Sequence, residues 1–153
     1  MNNLKTISPI INISPKKCSL TKSKLQKFVI EVLRFLKKPD YGVSVSIVGS
    51  TKMKSIHKQY FNDPSDTDCI SFSQFEGLKV GNEKLLGDVF VCWNQVQKQA
   101  PQYGNNPKEE LLYCIIHGIL HLLGYDDITA QKRKIMFKKQ DQIFHRLVKK
   151  DGF

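Results

Sequence analysis

The stretch from Lys108 to Leu123, KEELLYCIIHGILHLL, is apolar on nearly every side of a helix. Such a helix cannot lie on a surface; it runs through a core, and the rest of the chain must supply layers to cover it. Within it His117 and His121 stand four residues apart, so both imidazoles leave from one face. Gly124 then lets the chain depart with positive φ, and three residues later Asp127 is carried back toward the same face. Two helical imidazoles and a carboxylate returned by a glycine turn form a three-ligand set with an open position. That is the layout of a catalytic zinc, which keeps water in its fourth site and lowers the water pKa to about 7. The alternative is a pair of hydrogen-bonded core histidines, but burying both in an otherwise apolar helix without a common partner is costly. Zinc leads by ligand type, one per chain. A 2-His-1-carboxylate set also suits iron, and nickel or cobalt accept the same donors.

The spacing H-x3-H-x2-G-x2-D parallels the H-E-x-x-H-x-x-G-x-x-H pattern of metallopeptidases, but Gly118 occupies the place of their general-base glutamate. A peptidase is therefore disfavoured. A glycine inside a helix costs about 1 kcal/mol against alanine. Room for a substrate at the metal and close helix packing are equally good reasons for it.

The 153 residues suit one domain, 1–153, with a core that needs no disulfide staples. No apolar run reaches the roughly 18 residues of a bilayer span, and the N-terminal residues lack a signal core, so the expectation is a cytoplasmic protein without a membrane partner. Cys18, Cys69, Cys92 and Cys114 form no CxxC pair and read as reduced thiols. Lys+Arg 24 against Asp+Glu 14 gives a net charge of +10, which favours a polyanionic partner, nucleic acid before membrane. Only Arg34, Arg133 and Arg146 are arginines. Lysines are point charges for phosphates rather than readers of base edges, so backbone or shape recognition is expected.

Periodicity places the other elements. Thr6–Ser14 alternates around Ile7, Ile11 and Ile13, with Pro9 marking an edge strand. A helix begins at Ser23, with Ser23 and Gln26 as a capping box and Pro39 as its stop. Val43–Val48 alternates as a half-buried strand, and Met53, Ile56 and Tyr60 mark a short helix before the polar loop at Asn62–Asp66. Cys69–Phe75 and Leu85–Trp93 read as strands joined by a loop, the second buried on both faces. Asn94–Ala100 suggests a helical turn, and Thr129–Lys149 a final helix with Met136, Ile143, Phe144 and Leu147 inward. The class is α/β or α+β, with a small mixed sheet of about four strands packed by helices around a zincin-like metal-binding core helix.

These residues resemble a known family. HGILHLLGYDD is similar to the HGxLHLxGYDH signature of the bacterial YbeY endoribonucleases. Thr67–Phe72 is similar to their T-D-V-L-S-F segment, Leu86–Val89 to L-G-D-I, and the Gln99-Ala100 pair also fits. The resemblance spans Ile56 to the C-terminal helix and implies a small mixed sheet around the metal helix. It further implies a metal-dependent, single-strand-preferring endoribonuclease of ribosomal RNA, acting in 16S rRNA 3′-end maturation and ribosome biogenesis with the small ribosomal subunit as partner. Two departures stand out. The family's third ligand is usually histidine, where this chain has Asp127; the extra negative charge makes bound water less acidic. The family's N-x-x-Y-R segment ends in an arginine implicated in cleavage, where this chain has Phe61. Phosphodiester cleavage develops charge that a cation must meet. Lys58, one turn earlier, is the candidate catalytic substitute, beside His117 and His121. The competing reading is a non-catalytic RNA- or ribosome-binding assembly factor with a mainly structural metal.

Asp88 and Asp126 are candidates to orient the ligand histidines, against backbone bonding for Asp88 and a turn for Asp126. Lys132, Arg133 and Lys134, with Lys138 and Lys139, form a basic helix face that is either solvated or in contact with RNA. Trp93, Phe72 and Phe75 are core residues before they are a stacking face. His57 and His145 carry no assigned role.

Overall fold

The structure, a computed structural model, describes residues 8–18, 20–74 and 84–153. The elements run β1 (Ile10–Ile13), α1 (Lys22–Phe35), β2 (Gly42–Val48), α2 (Ser50–Phe61), β3 (Cys69–Ser73), β4 (Leu85–Cys92), α3 (Trp93–Gln99), α4 (Pro107–Leu122) and α5 (Ala130–Phe144). A 3-10 turn at Ala100–Tyr103 precedes α4, and a π-helical turn at His145–Lys150 extends α5. The start of the expected first strand (Thr6, Ile7), Phe75 and most of the loop after it lie outside the described residues.

The four strands form one mixed sheet in the order β1-β2-β4-β3. β1, β2 and β4 are parallel, while β3 runs antiparallel to β4 and forms an edge. The period-two alternation of the strands divides their side chains between two layers. Val43, Val45, Ile47, Val89 and Val91 face the main core with α1, α4 and α5. Val48, Ile70 and Cys92, with Phe72 and Phe90, face α2 through Met53 and Ile56. The result is a single α+β domain, as the intermixed periodicities required.

Helix α4 is the centre of this packing. Leu111, Ile115, Ile116, Ile119 and Leu120 are fully buried. Each such side chain contributes about 1.5–3 kcal/mol of burial before entropy is counted. Its start is fixed by Pro107 and by a reciprocal box in which Asn106 Oδ1 accepts from the Glu109 N–H at 2.8 Å and Glu109 Oε1 accepts from the Asn106 N–H at 3.1 Å. Gly118 shows why a glycine is there: a Cβ would lie 2.4 Å from Val89 Cγ1 and 3.1 Å from Cys69 Sγ, so the helix rests directly on the sheet. Close packing, not room for a substrate, accounts for it.

Helix α1 corrects the expected cap. Thr21, not Ser23, is the N-cap and accepts from the Lys24 N–H at 3.2 Å, which leaves Gln26 free to donate to the Pro9 carbonyl at 3.2 Å and tie α1 to β1. The helix ends at Phe35, four residues before Pro39, and the chain leaves it through Lys37 at φ 58. Trp93 is 5% exposed and belongs to the core, and the cysteines are unpaired thiols. No helix among the described residues is long and apolar enough to cross a membrane.

Candidate metal centre

The last turn of α4 closes through Gly124 at φ +94, where the Gly124 N–H donates to the His121 carbonyl at 3.0 Å and the Tyr125 N–H to the Leu120 carbonyl at 3.1 Å. This paired bonding is a Schellman turn, which satisfies the terminal carbonyls and reverses the chain. The reversal sets the Tyr125 carbonyl 3.0 Å from His121 Nδ1 and brings Asp127 over both rings. The glycine at that position does what the spacing anticipated.

His117 and His121 meet nearly edge-on, at 85° and with 4.6 Å between ring centroids. Their Nε2 atoms are 3.0 Å apart, and Asp127 Oδ2 lies 3.9 and 4.0 Å from them. His121 Nδ1 faces a carbonyl and must donate. His117 Nδ1 lies 2.9 Å from Oε1 of Gln140, whose amide group donates at 3.2 Å to the Tyr113 carbonyl and so fixes which end faces the ring. Both rings therefore carry their proton on Nδ1 and point an Nε2 lone pair at the other. Two acceptors at that separation beside a carboxylate call for a shared cation. Zinc–ligand bonds of about 2.0–2.1 Å at tetrahedral angles put donor atoms roughly 3.3 Å apart; the two Nε2 atoms are near that at 3.0 Å, while Asp127 Oδ2 stands farther out at 3.9 and 4.0 Å. Burial first, and then the neighbouring His117, hold the His121 pKa below its ordinary value, which keeps the ring neutral and able to ligate. The three side chains fit a divalent metal, and Asp127, 43% exposed, leaves one side of the site open.

Two clefts flank this triad. One, of about 430 Å³, is lined by His57, Phe61, Thr67, Cys69, Ser71 and His121 among others and follows β3, which lies at one end of the strand order. The other, of about 320 Å³, lies on the His117 side, with Asp68, Gln99, Glu110 and Phe137 in its wall. There the Gln99 Nε2 donates at 3.0 Å to both Asp68 Oδ2 and Glu110 Oε1, and Asn105 Nδ2 donates to the other Glu110 oxygen at 2.9 Å. The nearly buried Glu110 is thereby satisfied.

Other expected residues fall elsewhere. Asp88 is not a partner of either histidine, since Gln140 and the Tyr125 carbonyl occupy the two Nδ1 positions. Strand alternation explains the correction: Val89 packs on α4 at Gly118, so Asp88, paired with Phe72, points to the other face. Asp126 shapes the turn instead of a ligand ring, accepting from the Ile128 N–H at 3.2 Å and pairing with Lys132 at 3.4 Å. Lys132, Arg133 and Lys134 are exposed on the first turn of α5, and Lys134 also borders an open groove with Lys138 and Arg146. Lys58 is exposed on α2, next to His57, which lines the first cleft. Burial pushes the Cys69 and Cys114 thiols up, which leaves them inert beside the histidine pair of α4.

Gln140 is the site residue that sequence reasoning missed. Its signal was present: a polar side chain four residues after Met136 and three before Ile143, on the inward stripe of α5, and only 1% exposed.

The family described as Endoribonuclease YbeY matches residues 10–148. An endoribonuclease YbeY of Pelotomaculum thermopropionicum is 38% identical over 119 residues, covering 73% of this chain and 78% of the relative. One from Staphylococcus aureus is 34% identical over 139 residues, covering 82% and 88%. A Thermotoga maritima protein with a known solution structure superposes with a TM-score of 0.64 at 28% identity, covering 91% of this chain and 88% of that one. By sequence match along most of its length and by fold, the chain belongs to the YbeY endoribonuclease family.

Proposed function

We propose that this chain is a metal-dependent endoribonuclease that cuts single-stranded segments of ribosomal RNA, in 16S rRNA 3′-end maturation on the small ribosomal subunit. The observation that carries the reading is the pair of Nε2 lone pairs set 3.0 Å apart beside Asp127, opening into a cleft. His117, His121 and Asp127 would hold the metal, with zinc first by donor type. A metal there would supply Lewis acidity toward a phosphate oxygen and toward water. Gln140 and the Tyr125 carbonyl hold the two rings in the ligating tautomer. Lys58 supplies positive charge toward the scissile phosphate from α2. Lys132, Arg133 and Lys134 attract the polyanion from α5, in keeping with a net charge of +10.

Metal content of the purified protein, measured alongside cleavage of a precursor ribosomal RNA, tests this. About one metal per chain, with cleavage lost on chelation and in a folded His121→Ala variant, is the expected result. Phe61, where the family's arginine is expected, favours one rival: an assembly factor that binds RNA without cutting it. Tight RNA binding with no cleavage under any divalent metal would select that rival.

A further inference from the structure

Phe61 ends α2, and its position is set by the backbone. Asn62 adopts the left-handed conformation at φ 55 and returns its N–H to the Lys58 carbonyl at 3.0 Å, stopping the helix there. The following loop folds back, with His57 Nδ1 2.9 Å from the Ser65 carbonyl. The Phe61 ring is still 55% exposed, and Tyr60 beside it is 61% exposed. Neither ring is loose. Phe61 stacks on Phe72 at 6.0 Å and 22° and lies 5.6 Å from His57, while Tyr60 meets Phe72 at 4.8 Å. Phe72 in turn is braced edge-on by Phe90 at 5.9 Å. An aromatic face held in place yet open to solvent has little conformational entropy left to lose on binding.

This face borders the same cleft as His121. β3 is an edge strand with α2 on one side of the sheet and α4 on the other, so the cleft passes around that edge from Phe61 to the metal triad. Lys54, His57, Lys58 and Phe61 follow at intervals of three, one and three, which places them on one face of α2. Among the described residues neither Lys54 nor Lys58 is paired with a carboxylate. Aromatic rings flanked by unpaired lysines form the combination that single-stranded nucleic acid selects: bases stack on the rings and phosphates meet the charges.

We propose that Phe61, backed by Phe72 and flanked by Tyr60, is a stacking platform for an unpaired nucleobase of an RNA strand lying along the β3 edge, with Lys54 and Lys58 against its phosphates. The proposal deepens the nuclease reading and rests on it only for the polymer being RNA. In this chain the position expected to carry a cation grips a base instead, and charge is supplied one turn earlier.

A short single-stranded RNA with one 2-aminopurine tests it, with chelator present to keep the strand intact. Quenching on binding to the wild-type chain reports stacking. Phe61→Ala is expected to weaken binding about five- to tenfold and to remove the quench, and Phe61→Trp to retain both. A strand abasic at the reporting position should bind wild type and Phe61→Ala alike. Wild-type affinity and quenching in Phe61→Ala, or the same loss with the abasic strand, would overturn the platform. The nuclease reading fails by a different result, absence of cleavage by the wild-type chain with metal, which leaves the stacking measurement standing.

Discussion

His117 Nδ1 lies 2.9 Å from Oε1 of Gln140, a side chain on a different helix and almost wholly buried. Helix α5 is thus part of the candidate metal centre although it supplies none of the three candidate ligands. Replacing Gln140 with leucine removes the acceptor that fixes the His117 tautomer and is expected to weaken metal affinity about 10–100-fold. Gln140→Glu keeps an acceptor and should preserve binding. Competition against a graded series of chelators, with circular dichroism as a check on folding, measures both.

Gly118 tests the close approach of helix and sheet. An added methyl would meet Val89 at 2.4 Å, and both α4 and β4 are too deeply packed to yield freely. Gly118→Ala should cost about 1–3 kcal/mol in denaturant unfolding. A variant as stable as the parent would show that the contact relaxes at no expense.

Glu109 joins the start of α4 to Lys149 in the terminal π-helical turn. Hydrogen bonding to Lys149, and then to the Asn106 backbone, holds its carboxyl below the usual carboxylate range. A depressed folded-state pKa stabilises the fold above the unfolded value, and the contribution disappears as pH falls through the folded one. Glu109→Gln retains a capping-box side chain but not the charge. It should therefore be less stable than wild type at neutral pH and converge with it in acid, as thermal unfolding across a pH series would reveal. High salt should narrow the neutral-pH gap, because the pair lies near the surface.

Phe61→Arg would place a guanidinium at the cleft where the family's cation is expected. If charge on the scissile phosphate limits the reaction, single-turnover cleavage at saturating protein should rise about tenfold or more. An unchanged rate would indicate that the lysines of α2 already meet that charge.

The parts of this site that could be read from sequence are those governed by local geometry. The spacing of His117 and His121, the glycine turn and Asp127 lie within one helix and its exit, so helical periodicity fixes their relation. The orienting partners do not. Asp88 was a reasonable candidate as an acid in an apolar strand, but the choice of face depended on whether Val89 or Asp88 meets α4, and Gly118 decides that through long-range packing. Gln140 reaches His117 only because α5 docks across α4. The Ser23 cap failed for a smaller reason: Thr21, two residues upstream, already satisfied the free N–H groups.

The tight reversal after His121 acts as a ruler. Leu120, His121, Gly124 and Tyr125 are locked by backbone bonds, so the tether to Asp127 has its length set before any side chain is chosen. Exchange of an imidazole for an acid at its end changes the donor but leaves the reach intact. Lengthening the tether by one amino acid would carry that donor away from the paired rings whatever its chemistry.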